Sequence, residues 1–358
     1  MSMRTPLMIF AVGLLAVAAM YRYGLASLGE PVQQPNPGQA ETSAAEPAVK
    51  PAAPRADEFQ RIRRPGSVDI STVYDLADLS IPEGEIHTLL PRDAIPSLTD
   101  PKRESVTDAA AWLADESRIV VVRIGDEVLG VPLRVLDWHE VVNTTVGGEP
   151  IAATYCPLCD SATAFNRRVE STGADGEVVQ DVLEFGVSGA LYNSNVLMYD
   201  RSDMGLWSQL GMHAVSGPRV GTALTMLPVE LVPFARFAAA HPEADVVSKD
   251  TGHTRDYSRS PYEAYFANER LLVPVAGMGE ALPRKTLGIG VATDAGAWFV
   301  PLTAADPDVE VETDLGQVSI RHNDDGVAIT SAPEGVRTAQ TFYYSWSAFY
   351  PETKVVSE

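Results

Sequence analysis

Short β-branched runs separated by turn signals constrain the fold of this chain more than any other feature. Arg118 to Arg123 reads RIVVVR, and Gly125-Asp126 separates it from a second short run, Glu127 to Val131. Two such runs around a Gly-Asp pair predict a β-hairpin. Similar reasoning predicts further strands at 150–155, 163–169, 178–187, 195–199, 204–209, 298–302 and 317–321. The sequence therefore predicts an α+β fold, a β-rich single domain of antiparallel hairpins and meanders rather than an alternating βαβ fold.

A few short helices accompany these strands. Residues 107–115 are predicted to form a short helix capped by Thr107. Residues 132–143 have apolar side chains at helical spacing, and residues 228–240 are predicted to be helical in spite of Pro233.

The N-terminal part of the chain has a different composition. Residues 6–20 form an uncharged apolar run, which is shorter than the roughly 20 residues of a comfortable membrane span. We therefore expect residues 1–30 to be a signal peptide or a signal anchor, with a hydrophobic helix. Residues 31–68 are rich in Pro and Ala and predict a disordered linker, followed by one globular domain at 69–358. This arrangement predicts an extracytoplasmic protein, on the periplasmic side or secreted, whose membrane partner is the N-terminal segment if it is uncleaved.

The charge balance excludes some partners. The formal net charge is -21, from 48 acidic and 27 basic residues. Nucleic acid binding needs a basic face, and docking on anionic lipid needs a basic patch, so neither is expected. The identity of a protein or small-molecule partner stays open at this point.

The two cysteines of the chain, Cys156 and Cys159, enclose Pro-Leu in a motif that looks exposed. One interpretation is a thiol/disulfide redox pair, with Cys156 as the nucleophile and Cys159 as the resolving thiol. A Cys-x-x-Cys motif at a strand-to-helix junction would lower the pKa of a thiol. His139, on the preceding predicted helix, is the first candidate for a base or an orienting group.

Two alternatives remain open for the same residues. Cys156, Cys159 and His139 could bind Cu or Zn, although the second Cys-x-x-Cys of a zinc ribbon is absent. Further ligands would have to come from Met198, Met204, Met212, His213 or His253. The third interpretation is a structural module, in which an inert disulfide closes a very short loop.

The chain resembles a family of exported or membrane-attached proteins, domain-of-unknown-function family 3179. The matching motifs are WHEVVN at 138–143, TYCPLC at 154–159, FGVSG at 185–189, LYNSN at 191–195, MYDR at 198–201 and LWSQ at 206–209. Together they place the family-like core at about 95–266. The resemblance implies export but no activity.

Two of these motifs contain polar side chains with more than one interpretation. The run from Tyr192 to Asn195 suits hydrogen bonds in a turn, or alternatively donors around a small polar ligand. Trp207 and Gln209 suggest structural packing beside an Asp200–Arg201 ion pair.

Overall fold

A computed structural model describes residues 70–172, 177–302, 307–323 and 326–356 of the 358-residue chain. Strands make up 43% and helices 13%, which confirms the prediction of a β-rich fold with a few short helices. The predicted N-terminal helix and linker lie outside the described residues. Within them, no helix is both long enough and apolar enough to cross a membrane.

The elements are numbered here in chain order. The strands are β1 (Ile86–Thr88), β2 (Leu98–Thr99), β3 (Arg103–Ser105), β4 (Arg118–Ile124), β5 (Glu127–Pro132), β6 (Val141–Val146), β7 (Glu149–Cys156), β8 (Ser161–Asn166), β9 (Arg168–Thr172), β10 (Val178–Val182), β11 (Phe185–Tyr192), β12 (Asn195–Asp200), β13 (Leu206–Ser208), β14 (His213–Ala214), β15 (Met226–Leu227), β16 (Val229–Pro233), β17 (Asp245–Val247), β18 (Leu287–Ala292), β19 (Ala297–Pro301), β20 (Asp308–Thr313), β21 (Gly316–Asn323), β22 (Gly326–Ser331), β23 (Arg337–Phe342) and β24 (Lys354–Val355). The helices are α1 (Val106–Ala109), α2 (Leu133–His139), α3 (Phe234–Ala240), α4 (Glu263–Phe266) and α5 (Tyr343–Phe349). Two 3-10 turns precede them, Ile70–Thr72 and Glu83–Glu85.

Three larger sheets and one hairpin organise these strands. The first sheet has the order β2-β6-β7-β8-β23-β18-β19-β24, and β15 also pairs with β8. The second sheet has the order β20-β21-β22-β16-β4-β5-β17-β3, and the third has the order β1-β11-β12-β13-β14. Strands β9 and β10 pair separately with each other.

Alternation along β7 assigns the two faces of the first sheet. Ile151, Ala153 and Tyr155 pack in one apolar cluster with side chains of β4 and β5 from the second sheet. Ala152 and Cys156 point the other way, into a cluster with β11, β12 and β13 of the third sheet and with α5. Successive side chains of a strand point to opposite faces, so the first sheet lies between the other two. Cys156 consequently faces the third sheet.

Most predicted strands are present, because their signals are local. Six predicted strands coincide with observed ones: 118–123 with β4, 127–131 with β5, 150–155 with β7, 195–199 with β12, 298–302 with β19 and 317–321 with β21. Stretch 204–209 contains the shorter strand β13. Stretches 163–169 and 178–187 each contain parts of two strands, and β9 and β10 from these stretches pair antiparallel.

The predicted helices are shorter than expected. The helix predicted over 132–143 ends at His139, and the β-branched residues that follow form β6, since such side chains favour strands. The helix predicted over 228–240 begins only at Phe234. Pro233, which has no N–H to donate, is its N-cap and ends strand β16. The first helix spans only four residues, and its cap is Ser105 rather than Thr107: the Ser105 side chain accepts a hydrogen bond from the Asp108 amide.

Candidate functional site

The cysteine motif forms the turn between two antiparallel strands. Cys156 is the last residue of β7 and pairs with Ser161, the first residue of β8. Cys156 is 1% exposed and Cys159 is 0% exposed, so the expectation of an exposed motif is wrong. Because the turn leads into a strand, the strand-to-helix setting considered from the sequence does not apply. Both cysteines are free thiols.

Cys159 is surrounded by hydrogen-bond donors. Asn195 Nδ2 lies 3.1 Å from its sulfur, and Ser161 Oγ also lies 3.1 Å from it. Burial raises the pKa of Cys159, but hydrogen bonds from Cys156, Ser161 and Asn195 more than offset burial, so its pKa lies below the ordinary value. Cys159 is thus the sulfur of the pair that is arranged to carry negative charge.

Cys156 has the opposite character. Burial raises the pKa of its thiol well above the ordinary value, and its hydrogen bond to Cys159 and the negative charges of Cys159 and Glu140 raise it further. The Cys156 sulfur also lies 3.8 Å from the carbonyl oxygen of Ser194. The two cysteines are therefore unequal, because the surroundings raise the pKa of Cys156 and lower that of Cys159.

Gln209 fixes the orientation of the side chains around Cys159. Its Nε2 donates to Thr154 Oγ1 at 3.0 Å and to the Ser161 carbonyl at 3.1 Å, so its Oε1 must be the acceptor on the other side. Asn195 Nδ2 donates to this Oε1 at 2.7 Å. Ser161 Oγ lies 2.6 Å from the same oxygen.

The Ser161 hydroxyl has one proton, which it can donate either to Gln209 Oε1 or to the Cys159 sulfur. When it donates to Gln209 Oε1, its own oxygen can accept the thiol proton of Cys159. When it donates to Cys159, it stabilises a thiolate, and Asn195 still donates to Gln209. Rotation of one hydroxyl thus accommodates either protonation state of Cys159 without leaving an unpaired buried group.

A tight hairpin delivers Asn195 to this network. Asn193 and Ser194 have positive φ angles of 50° and 60° and join β11 to β12, as the two central residues of a type I′ turn require. Asn195 Oδ1 accepts a hydrogen bond from the Leu210 amide at 3.0 Å, which identifies Nδ2 as the group directed at the sulfur. Asn193 and Ser194 thus form a turn, as one interpretation of this run expects, and Asn195 donates to the Cys159 sulfur. A role of this run in binding a small polar ligand stays a prediction.

Tyrosines cover the site. Tyr344 OH donates to the Leu158 carbonyl at 2.8 Å, and Tyr265 OH lies 3.4 Å from Tyr344 OH. Residues 257–268, which we call the strap, contain Tyr265 and helix α4. Lys285 Nζ holds the strap by donating to the carbonyls of Tyr265 at 2.6 Å and Asn268 at 2.7 Å. It also lies 3.4 Å from the centroid of the Tyr265 ring.

Glu140 is a buried carboxyl beside this site. It follows α2 in a left-handed conformation with φ 57°, which costs a residue other than glycine about 1–2 kcal/mol. Tyr262 OH lies 3.4 Å from its Oε1. Burial raises the pKa of Glu140 to about 8, and the charge of Cys159 also raises it, whereas the Tyr262 hydrogen bond lowers it.

His139 faces a different set of partners. Its Nδ1 lies 2.6 Å from the Pro96 carbonyl and its Nε2 lies 2.8 Å from Tyr257 OH. Burial lowers its pKa to about 4. Both ring nitrogens are thus used away from the sulfurs, and a role as base or orienting group stays a prediction without a contact that supports it.

A metal site would need a third ligand beside the two sulfurs. Within the described ranges, no group of three His, Cys, Asp or Glu side chains could hold a metal ion. Met198 and Met212 share the apolar cluster of the cysteines, whereas Met204 packs against a separate cluster. His213 Nδ1 lies 2.7 Å from the Gly211 carbonyl. His253 packs against the His139 ring, with a centroid distance of 5.3 Å.

The sequence interpretation missed Glu140, Ser161 and Gln209. The predicted site contains His139 but not its neighbour Glu140. The helix ends at His139 and Glu140 is left-handed, so the two side chains point in different directions. Gln209 was interpreted as structural packing. The one available signal was that Glu140 and Gln209 lie in the same set of motifs as Cys156, Cys159 and Asn195.

Comparison with known proteins identifies the family. The family described as "Protein of unknown function (DUF3179)" matches residues 92–332, extending past the core expected at about 95–266. No curated protein and no solved structure matches the chain. The match spans most of the 358 residues and contains both cysteines with Ser161, Asn195 and Gln209, so the chain belongs to the DUF3179 family.

Proposed function

We propose that the protein is a thiol/disulfide redox protein in which Cys159 is the nucleophile and Cys156 is the resolving thiol. The observation that carries this proposal is the unequal hydrogen bonding of the two sulfurs. Asn195 donates to the Cys159 sulfur and Ser161 lies within hydrogen-bond distance of it, and the thiolate is the reactive form of cysteine. The roles are the reverse of those expected from the order of the two residues in the sequence.

The burial of the pair favours a small, neutral two-electron oxidant of the peroxide class. Neither sulfur is more than 1% exposed, which disfavours a folded protein disulfide. The negative charge of the Cys159 thiolate disfavours an anionic reagent, because like charges repel strongly where water is excluded.

The reaction has two balanced steps. The Cys159 thiolate attacks one peroxide oxygen, the O–O bond breaks, and the products are Cys159 sulfenic acid and hydroxide. The Cys156 sulfur then attacks the Cys159 sulfur, the S–O bond breaks, and the sulfenic hydroxyl leaves as hydroxide, which the proton released from Cys156 converts to water. The dithiol is oxidised by two electrons and peroxide is reduced to water and hydroxide.

Mass spectrometry of the intact protein tests the proposal. Treatment with one equivalent of hydrogen peroxide should produce an intramolecular disulfide that a dithiol reductant reverses. Cys156→Ser should accumulate sulfenic acid at Cys159, trapped with a dimedone probe, whereas Cys159→Ser should react far more slowly. If both single variants react at the same rate, or the native pair resists peroxide, the proposal is wrong.

The same experiment separates the two alternatives. Stoichiometric copper or zinc in protein purified without chelator, lost in both single variants, would favour a metal-binding module. A disulfide that persists in the native protein and resists a dithiol reductant would favour the structural interpretation.

We also propose that the chain is exported and acts outside the cytoplasm, attached to a membrane when its N-terminal segment is uncleaved. The support is the apolar run at 6–20 followed by the Pro- and Ala-rich stretch. Fusion of residues 1–68 to a reporter that is active only after export tests this, and a reporter that stays inactive would refute it.

A further inference from the structure

We propose that Ser161 is a catalytic residue of the redox reaction: its hydroxyl donates to the Cys159 sulfur while that sulfur is a thiolate and turns to Gln209 Oε1 when the sulfur is neutral. This inference rests on the proposed function and concerns its first step. The proton that leaves the Cys159 thiol ends on the hydroxide released from the peroxide, which becomes water. Ser161 keeps its own proton throughout and forms no covalent bond.

Ser161 lies within hydrogen-bond distance of two acceptors. Its Oγ is 3.1 Å from the Cys159 sulfur and 2.6 Å from Gln209 Oε1. A serine hydroxyl has one proton and two acceptor lone pairs, so it fully donates to one of these partners at a time. A hydrogen bond to an ionised group is the stronger one. An ionised sulfur therefore attracts the Ser161 proton, and a neutral sulfur releases it to the amide oxygen.

The backbone of Ser161 is held in place, so that the hydroxyl turns without moving the residue. Ser161 is the first residue of β8 and pairs with Cys156 at the end of β7. Its carbonyl accepts a hydrogen bond from Gln209 Nε2 at 3.1 Å. Redirecting the hydroxyl therefore moves one hydrogen atom and no heavy atom.

Gln209 is the positioning residue that keeps the second acceptor in place. Its Nε2 donates to Thr154 Oγ1 at 3.0 Å and to the Ser161 carbonyl. Thr154 Oγ1 in turn lies 2.6 Å from Thr163 Oγ1. The Gln209 amide cannot turn over without losing both of its donated bonds, so its Oε1 faces Ser161 in either protonation state of the sulfur.

Asn195 does not adjust in this way. Its Nδ2 donates to the Cys159 sulfur at 3.1 Å and to Gln209 Oε1 at 2.7 Å. Its Oδ1 accepts from the Leu210 amide at 3.0 Å. Because both ends of this amide are engaged, Asn195 donates to the sulfur in either protonation state. Of these two neighbours, Ser161 is the one whose hydrogen bond follows the charge on the sulfur.

Other titratable groups also interact electrostatically with Cys159, namely Cys156 on β7, Glu140 after α2, Tyr344 on α5 and Tyr265 of the strap. Burial raises the pKa of each, and it raises the pKa of Glu140 to about 8. Substitutions at Ser161 and Gln209 leave all four groups in the protein. A change in the Cys159 titration that is confined to these variants therefore reports the hydrogen bond.

Ultraviolet titration of the thiolate tests the proposal without peroxide. In Ser161→Ala the ionised sulfur loses a donor, so the ratio of thiolate to thiol at fixed pH should fall by about tenfold. The pH profile of sulfenic acid formation should move to higher pH by the same amount. Gln209 Oε1 keeps Asn195 as its donor in this variant. Ser188→Ala is the matched control, because Ser188 is a similarly buried serine whose hydroxyl donates to the Leu197 carbonyl.

Two substitutions of Gln209 should move the Cys159 midpoint in opposite directions. Gln209→Met leaves the sulfur as the acceptor for the Ser161 hydroxyl, so the thiolate should form at lower pH. Gln209→Glu introduces a carboxylate that holds the Ser161 proton more strongly than an amide does, so the thiolate should form at higher pH. A general loosening of the site would raise the midpoint in both variants. Gln340→Met is the matched control, because Gln340 is a buried glutamine on the adjacent strand β23.

A combined variant decides whether Gln209 acts through Ser161. Adding Gln209→Met to Ser161→Ala should leave the midpoint of Ser161→Ala unchanged. Equal shifts from Gln209→Met with and without the Ser161 hydroxyl, or a native midpoint in a folded Ser161→Ala protein, would overturn the inference. If the midpoints move as expected but native Cys159 forms no sulfenic acid with peroxide, the proposed function fails and Ser161 only sets the acidity of Cys159.

Discussion

Asn195→Leu is the most direct perturbation of the sulfur that carries the proposed chemistry. Asn195 Nδ2 lies 3.1 Å from Cys159 and 2.7 Å from Gln209 Oε1, and leucine has a similar shape without donors. A hydrogen bond to a charged group contributes about 1.5–3 kcal/mol. Its loss should reduce the ratio of thiolate to thiol at Cys159, at fixed pH, by about ten- to a hundredfold.

Ultraviolet absorbance of the thiolate during a pH titration measures this ratio without requiring reagent access. The midpoint assigned to Cys159 should move to higher pH in Asn195→Leu. Asn166→Leu is the matched control, because the Asn166 amide contacts Glu149 at 3.3 Å, away from the sulfurs. An unchanged Cys159 titration in a folded Asn195→Leu protein would refute the hydrogen-bonding argument.

Stability should fall at the same time, for a separate reason. Leucine leaves the Leu210 amide, which donates to Asn195 Oδ1 at 3.0 Å, without that acceptor. An unsatisfied buried group costs about 1–3 kcal/mol. Urea unfolding should therefore show a loss of about 1–3 kcal/mol, and an Asn195→Leu protein as stable as the native one would contradict this packing argument.

Three further substitutions test other parts of the structure. Lys285→Met removes two hydrogen bonds and a ring contact from the strap. Alkylation of the cysteines by a small reagent should therefore accelerate by about tenfold. In the surface control Lys354→Met, the alkylation rate should equal that of the native protein. Arg118→Met removes the bidentate hydrogen bonds, at 2.9 and 3.1 Å, that pair the buried Asp160 carboxylate. The free energy of unfolding in urea should fall by about 2–4 kcal/mol. A loss below about 1 kcal/mol would contradict this. Gly290→Ala places a Cβ inside a buried tryptophan ring, so calorimetry should show a loss of about 2–3 kcal/mol, and an unchanged melting temperature would contradict the packing.

The local features of the fold could be predicted from the sequence. RIVVVR and its return strand became β4 and β5 because β-branched residues and a Gly-Asp turn specify a hairpin without distant contacts. The helices were predicted too long for equally local reasons. Pro233 delays the start of one helix, and the β-branched residues after Glu140 end another. The spacing of apolar side chains alone does not show either effect.

The site depends on contacts that sequence spacing does not specify. Cys159 and Asn195 are brought together because the third sheet packs on the face of β7 that carries Cys156. The register of β6 against β7 sets Glu140 across from Tyr155. These relations join segments from different sheets and neighbouring strands, so the motif could be located from the sequence while its partners could not.

The burial that stabilises this site also limits what can reach it. Cys159 is 0% exposed, so a thiolate there requires neighbouring groups to replace the hydrogen bonds of water, and the same neighbours shield the sulfur from solvent. The strap contacts the site through the Tyr262 and Tyr265 hydroxyls at 3.4 Å each, which is long for a hydrogen bond between oxygens, so it should be the part that opens. If opening of the strap admits the reagent, Lys285→Met should accelerate the reaction of the cysteines with a bulky aromatic disulfide more than their reaction with hydrogen peroxide. The reason is that the larger molecule needs the wider opening. Equal acceleration of both would instead mean that Lys285 alters the sulfur's own reactivity, and access would have to come from another side of the site.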